Sequence, residues 1–437
     1  MNQTLQPHRR AAPLRFSQPE PADRRGIEAA DARCRACGSA DLRAILDLGR
    51  LPLANALLTD EQLGLPEPAY PLELVFCPAC TLVQITETVP PDVLYRHYAY
   101  FSSYSDTILR ESRGIAERMI RERGLHARSH VVEIASNDGY LLQFYKNAGI
   151  PVLGIEPASN VAAASARRGI PTVCDFFGVE LAQRLRATGR RADVIHANNV
   201  AAHVANIDDF FAGLAVLLDA DGMVVIEVPY VRDMIERAEF DTIYHEHLSY
   251  FSLSALNLIC ERHGLAISDV QRLAIHGGSL RIFLAHAAPE CRPHPSVCEM
   301  LQDEKLCGLT AFRFYEKFSA KVNAIRERLL AQLRLLKSQG ARIAAYGASA
   351  KGSTLLNYCG IDGAILEFVV DRNPAKFGLY TPGAHLPIGP VGQLLEAMPD
   401  YALLLTWNFA EEILEQQGEY RRRGGRFIVP IPEIRII

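Results

Sequence analysis

Along most of the chain, apolar positions recur in short bursts separated by amphipathic stretches, and the order of those bursts predicts the architecture. A segment with helical periodicity at 105–125 leads into an apolar strand at 130–135. From there strand and helix alternate: VVEIA then LLQFYKNAG, PVLGIE then NVAAASARRG, ADVIHA then IDDFFAGLAVLL, and finally GMVVIEV. Strands alternating with helices of this size predict a parallel sheet with crossover helices. Residues 231–300 read as loop-rich with several histidines, and 299–338 as one long helix with periodic Leu and Ile. The alternation restarts with RIAAYGA, STLLNYCG, LEFVVD, YALLLTW and RFIVPI, which marks a second α/β unit. Upstream, 31–90 holds short apolar runs at 72–76 and 82–85 among cysteine pairs, and 1–30, rich in Pro and Arg without an apolar period, reads as a disordered tail.

Length and charge narrow the class. A chain of 437 residues is long enough for several domains. Its 46 basic and 50 acidic residues give a net charge of -4, which argues against a protein that grips nucleic acid through phosphate neutralisation. There is no run of 18 or more uncharged apolar residues that could span a membrane, and the Arg-rich start lacks the apolar segment of a secretory signal. The expectation is a soluble, cytoplasmic, multi-domain protein.

Of ten cysteines, Cys174, Cys260, Cys291, Cys298, Cys307 and Cys359 are scattered singly, as expected of buried or partly buried thiols in a reducing compartment. The other four form two C-x-x-C pairs, Cys34/Cys37 and Cys77/Cys80. Each pair bends the backbone so that both sulfurs face one ion, and four thiolates satisfy tetrahedral Zn²⁺. With no further ligand suggested, the site is expected to be closed and structural.

The strand Val131–Ala135 runs into the turn Ser136-Asn137-Asp138-Gly139. In a doubly wound sheet, ligands bind at the carboxyl ends of strands beside such a turn. Glu133 is expected near the strand end facing a cationic donor, Gly139 to allow close approach, and Glu156 at the next strand end to accept from ribose hydroxyls. The G-x-G-x-x-G fingerprint of dinucleotide binding is absent, whereas S-adenosylmethionine carries no phosphate and needs only a glycine and an acidic strand end. DDFFAGLAVLLDADGMVVIEV (208–228) then resembles the helix, turn and fifth strand of a class I methyltransferase.

Polar groups concentrate in two later segments. One is Asn198-Asn199-Val200-Ala201-Ala202-His203, the other Tyr244-His245-Glu246-His247-Leu248-Ser249-Tyr250-Phe251. His, Glu and Tyr within four residues supply a base, an orienting carboxylate and a phenol hydrogen bond. The spacing differs from H-E-x-x-H, so a metalloprotease reading is poor. Near the C-terminal unit's first strand, Gly347-Ala348-Ser349-Ala350-Lys351-Gly352 is no P-loop. Its helix N-terminus and Lys351 suit a diphosphate, and the alternative is a tight turn with a solvated lysine.

Taken in order, CRACG with CPAC, YRHYAYFSSYSDT (95–107), EIASNDGYLL (133–142), NNVAAH (198–203), YHEHLSYFS (244–252), GGSLR (277–281) and AYGASAKG (345–352) resemble the nucleotide-sugar C-3 methyltransferases of branched deoxysugar biosynthesis. The basic N-terminal extension departs from that pattern. The resemblance implies an α/β protein of three domains after a tail (1–30). These are a zinc-binding domain (31–95), a class I, doubly wound S-adenosylmethionine domain (96–300), and a linker helix with a Rossmann-like nucleotide-sugar domain (301–437). It implies His247 as general base, and Tyr244, Glu246, His203, Asn199 and a tyrosine near Tyr98 (Tyr95, Tyr100 or Tyr104 in other registers) lining the sugar site. Ser136, Asn137, Asp138 and Asn198 then join Glu133, Gly139 and Glu156 around the donor, and Arg281 joins Ser349 and Lys351 around the substrate. The function implied is methyl transfer to C-3 of a 4-keto nucleotide-activated deoxysugar, with a small-molecule substrate and neither nucleic acid nor membrane as partner. Alternatives are another small acceptor, including an O- or N-acceptor, or a zinc-dependent regulatory or nucleic-acid-binding protein.

Overall fold

The computed structural model describes residues 32–95, 101–274, 277–289 and 292–437. The tail at 1–30 expected to be disordered, Tyr98, Tyr100 and Cys291 lie outside the described residues. Among the described residues the strands form three sheets.

The first sheet pairs β1 (Arg43–Pro52), β2 (Ala69–Phe76) and β3 (Val83–Ile85) in antiparallel order. The apolar runs expected at 72–76 and 82–85 are β2 and β3; β1, whose apolar residues alternate irregularly with charges, was not apparent. Its fourth strand comes from far along the chain, as described below.

The second sheet contains β4 (Val131–Ile134), β5 (Val152–Ile155), β6 (Thr172–Val173), β7 (Ala192–Asn198) and β8 (Leu218–Pro229), all parallel in the order β6-β5-β4-β7-β8. Helices Ser159–Arg167, Val179–Ala187 and Ile207–Leu217 form crossovers between these strands. Both faces are covered, which is why β4 and β5 are buried throughout, β4 even at Glu133.

The stretch 231–300 is not loop-rich. It holds β9 (Ser249–Tyr250), helix Leu253–Arg262, and the hairpin of β10 (Leu265–Leu273) and β11 (Ser279–His286). β11 pairs antiparallel with β8, completing the order β10-β11-β8-β7-β4-β5-β6 of the class I methyltransferase fold. β9 leaves that sheet altogether and pairs with β3 as the last strand of the first sheet.

The segment 299–338 is two helices, not one. Pro295–Cys307 ends on Gly308, whose φ of 84° sits in the left-handed region and stops the helix, and Phe318–Ser338 begins ten residues later. The third sheet is Rossmann-like: β12 (Ile343–Tyr346), β13 (Val369–Asp371), β14 (Ile388–Pro390), β15 (Tyr401–Leu404), β16 (Arg426–Val429) and β17 (Arg435–Ile436), in the order β14-β13-β12-β15-β16-β17. Only β17 is antiparallel.

Of the single cysteines, Cys260 and Cys359 are buried, while Cys174 and Cys298 are exposed, against expectation. No helix among the described residues is long and apolar enough to cross a membrane.

Candidate active site and metal centre

The four expected metal ligands converge. Gly38 N–H donates to the Cys34 carbonyl and Thr81 N–H to the Cys77 carbonyl, both at 2.8 Å, closing two matching knuckles. Gly38 and Thr81 share a left-handed φ, 72° and 62°, so a threonine adopts in the second knuckle what glycine adopts in the first. The four sulfurs all lie within 4.8 Å of one another, with Cys34–Cys80 at 3.4 Å and Cys37–Cys77 at 3.5 Å. Thiolates around tetrahedral zinc stand roughly 3.8 Å apart at ~2.3 Å from the ion, so the cluster fits zinc with small shifts.

The donor turn is built from unusual backbone. Ala135, Asn137 and Gly139 all have positive φ (54°, 48° and 80°), folding the chain sharply at the end of β4. Glu156, at the end of β5, accepts the N–H of Asn137 through Oε2 and that of Ala158 through Oε1, each at 2.9 Å. Burial, reinforced by Asp138 and opposed by those two donors, pushes its carboxyl up to about 7. Asn137 Oδ1 accepts from Ser102 N at 2.9 Å, and Asp138 takes the Ser103 hydroxyl and an ion pair to Arg168 at 3.1 Å. Residues 102–103 thus close over the turn. A Cβ on Gly139 would meet Ile170 Cγ1 at 2.8 Å and Ser165 Oγ at 3.1 Å, so the helix side of the fold, besides any ligand, requires the glycine.

Beneath the turn lies a buried polar row. Neighbouring strands pair Glu133 with His196, Asn198 with Glu227, and Glu227 with Arg281; the two-residue repeat of β7 puts all five on one face. Glu133 is fully buried and neither carboxylate oxygen has a hydrogen-bond partner of normal geometry; Ser136 Oγ, Asp138 Oδ1 and Asn198 Oδ1 are likewise buried without one. Burial holds the Glu133 carboxyl well above the usual carboxylate range, against the opposing pull of the Tyr140 hydroxyl. Unsatisfied buried polar atoms are costly, and a cluster of them at a strand edge fits a ligand that carries several donors, as S-adenosylmethionine does. Arg281, expected among the substrate contacts, is instead committed within the sheet. Its Nε donates to Glu227 Oε1 at 2.6 Å and its side chain is 7% exposed.

The two polar segments meet as expected. Asn199, with φ 54°, donates its N–H to the Glu227 carbonyl at 2.8 Å. His203 and His247 stack edge to face with ring centroids 4.8 Å apart. The Nδ1 of His247 stands 2.8 Å from the Thr242 carbonyl, which can only accept. Nδ1 therefore carries the proton and Nε2 presents its lone pair, to the Tyr244 hydroxyl at 2.7 Å. Tyr95 donates its hydroxyl to the Glu246 carbonyl at 3.1 Å and accepts from His203 Nδ1 at 3.1 Å. Burial lowers His203 to about 4, so it stays neutral near pH 7. Glu246 Oε1 accepts from Asn55 Nδ2 at 2.7 Å. Asn55 had no signal in the sequence, since it stands in an ordinary turn 191 positions before its partner. His245 points away, its Nε2 3.2 Å from the carbonyls of Tyr70 and Pro71.

At the C-terminal unit, Ser349 caps helix Ala350–Cys359 by accepting Gly352 N–H at 3.1 Å. Lys351 is not solvated: its buried ammonium lies 4.9 Å from the centroid of the Trp407 ring, without a hydrogen bond. Asp241 and Glu239 supply its countercharge; burial pushes their carboxyls up to about 6 and about 8, and Lys351 opposes both shifts. Trp407 Nε1 donates to Asp241 Oδ2 at 2.6 Å.

A class I sheet, an acid at the end of its second strand and a donor turn lined by unsatisfied acceptors define an S-adenosylmethionine-dependent methyltransferase, with a structural zinc domain in front of it. Known proteins agree. Family models match as "Putative zinc binding domain" over 34–95, methyltransferase domain over 95–270 and C-methyltransferase C-terminal domain over 274–432. C-methyltransferase NovU of Streptomyces niveus is 37% identical over 404 residues, covering 92% of this chain and 96% of that protein. Solved structures with some likeness include the magnesium protoporphyrin IX methyltransferase of Synechocystis with bound S-adenosylmethionine (12% identity, 41% of this chain, 79% of that chain, TM-score 0.32). Another is the PH0226 protein of Pyrococcus horikoshii (10% identity, 46% and 97%, TM-score 0.35). The chain belongs to the C-methyltransferase family that includes NovU. That membership makes the chain an enzyme, a methyltransferase.

Proposed function

We propose that this enzyme methylates C-3 of a 4-keto nucleotide-activated deoxysugar through an enolate. The observation that carries the reading is the tautomer lock on His247, whose Nδ1 proton is held by Thr242 while Nε2 faces Tyr244. A carbon bonded to hydrogen is not nucleophilic until deprotonated, and a 4-keto group acidifies the hydrogen at C-3. His247 Nε2 takes that proton; Tyr244 exchanges its hydrogen bond to Nε2 for one to the enolate oxygen. Asn199 and the neutral His203 add polar contacts, and Glu246 orients the segment. S-adenosylmethionine, when bound, supplies the electrophilic methyl group: the C-3 carbon forms the new C–C bond as the C–S bond breaks, and the proton rests on His247. Positioned proton transfer contributes ~10²–10⁴-fold and an oxyanion donor ~10²–10³-fold.

For the donor we assign Glu133, Ser136, Asn137, Asp138, Gly139, Glu156 and Asn198. For the nucleotide we assign the 347–352 turn, with Ser349 at the helix N-terminus and Lys351 at the same end. The three sheets support the division at 31–95, 96–300 and 301–437, with β9 exchanged into the first. Incubation with donor and a 4-keto nucleotide deoxysugar should yield a product with a new C-bonded methyl by NMR. Without donor, in D₂O, the C-3 position should exchange. An O-methyl product and no exchange would favour the hydroxyl-acceptor alternative.

A further inference from the structure

The acceptor-site segment is held by both units: Leu248 N–H donates to the Ala202 carbonyl at 2.7 Å on the methyltransferase side, and the other contacts come from the zinc-binding unit. β9 pairs with β3, matching Ser249 to Gln84 and Tyr250 to Val83. Ile85 N–H donates to the Leu248 carbonyl at 3.1 Å, and His245 Nε2 reaches two carbonyls of β2. These contacts fix the backbone on either side of Glu246 and His247, and Asn55 reaches the Glu246 side chain itself by a hydrogen bond at 2.7 Å.

Asn55 lies in the turn after β1, closed by Ala56 N–H to the Leu53 carbonyl at 3.1 Å and anchored by the buried Leu51 and Ala54. A carboxylate offers only acceptors, so the amide of Asn55 must present its NH₂ to Glu246. Glu246 is 3% exposed, and a buried carboxylate depends on such donors for its orientation. The turn also meets the C-terminal unit two residues later, where Leu58 and Tyr380 exchange backbone hydrogen bonds at 3.0 and 2.8 Å. Asn55 therefore stands where the first unit, the acceptor segment and the third unit converge.

We propose that Asn55 is a positioning residue for methyl transfer, acting through Glu246, which makes the zinc-binding unit part of the catalytic apparatus. The proposal rests on the acceptor reading above. The test uses the full zinc-loaded chain, a 4-keto nucleotide sugar as acceptor, and a double-mutant cycle of Asn55→Leu with Glu246→Gln. Asn55→Leu should lower kcat about 10- to 100-fold, the range of a lost charge-assisted hydrogen bond, with donor affinity and zinc content unchanged. In the Glu246→Gln background, where the amide oxygen still accepts but carries no charge, the same change should cost several-fold less than in the wild type, because residues acting as a unit are not additive. Asn55→Asp keeps the size and sets two carboxylates against each other. It should be less active than Asn55→Asp combined with Glu246→Gln, where donor and acceptor exchange places. That comparison decides the matter even where Asn55→Leu loses its zinc. Wild-type kcat in Asn55→Leu, or full multiplicative losses in the double variants, would overturn the positioning role alone. A wild-type enzyme inert toward that acceptor would overturn the acceptor reading and this role together.

Discussion

Glu156 accepts the backbone N–H of Asn137 at 2.9 Å, tying the end of β5 to the turn after β4. The contact holds the donor turn closed and leaves the carboxylate a further lone pair on each oxygen for ribose hydroxyls. With its carboxyl at about 7, Glu156 is half protonated near neutrality. Hydroxyls donate better to the ionised form, so donor affinity should rise as pH increases through 7. Below 7 it should weaken by up to about tenfold per unit. The same shift has the opposite sign for the unliganded fold. The native state holds the proton between the ordinary carboxylate range and about 7, so Glu156 lowers stability as pH rises through that window. Calorimetry from pH 6 to 8 checks this. Glu156→Gln should flatten the profile and Glu156→Ala weaken binding by ~1–3 kcal/mol; identical profiles for all three would place the ribose elsewhere.

His247→Asn should abolish both C-3 exchange and methylation while retaining donor binding, with a loss of ~10²–10⁴-fold. Tyr244→Phe removes the hydroxyl at Nε2 and leaves the Thr242 contact intact. It should slow exchange and methylation together, because both pass through the enolate that the hydroxyl stabilises, but by less than His247→Asn, because the base remains. Single-turnover rates at several pH values separate the two steps. Undiminished exchange in His247→Asn would move the base elsewhere.

Cys77→Ser should drop zinc below one ion per chain and lower Tm. Because β9 is a strand of the zinc unit's sheet, the loss should reach acceptor turnover before donor binding. Elemental analysis and donor titration on the same preparation measure both; a zinc-depleted variant with full turnover would contradict the coupling.

Trp407→Phe removes the donor to Asp241 and should cost ~1–3 kcal/mol, the penalty for a buried acceptor left unmade. Lys351→Met removes the countercharge to Asp241 and Glu239, so both carboxyls should rise further. The Tm deficit should then be larger at pH 8, where these groups would ionise, than at pH 5.5. Binding of the nucleotide sugar to Lys351→Met should weaken as well; unchanged affinity would assign Lys351 wholly to the two carboxylates.

The local and periodic features were legible in the chain. Short apolar stretches such as VVEI and VLGI, alternating with amphipathic helical segments, mark the parallel strands of the second and third sheets. Paired C-x-x-C motifs carry their own turn geometry, and the four sulfurs meet as that spacing requires. The β10–β11 hairpin was hidden by flanking His, Pro and Gly residues, although Ile282, Phe283 and Leu284 in β11 form a short buried apolar run. Tertiary structure alone decided the rest. β9 is two residues long, too short to show a period, and its partner β3 precedes it in the chain by the whole parallel part of the methyltransferase sheet. The tautomer of His247 depends on the carbonyl of Thr242, a backbone group that every residue type possesses. Asn55 reaches Glu246, and Trp407 reaches Asp241, only because the three sheets pack into one core. Side-chain pairs that distant leave no periodicity in the chain, since what joins them is the packing of surfaces.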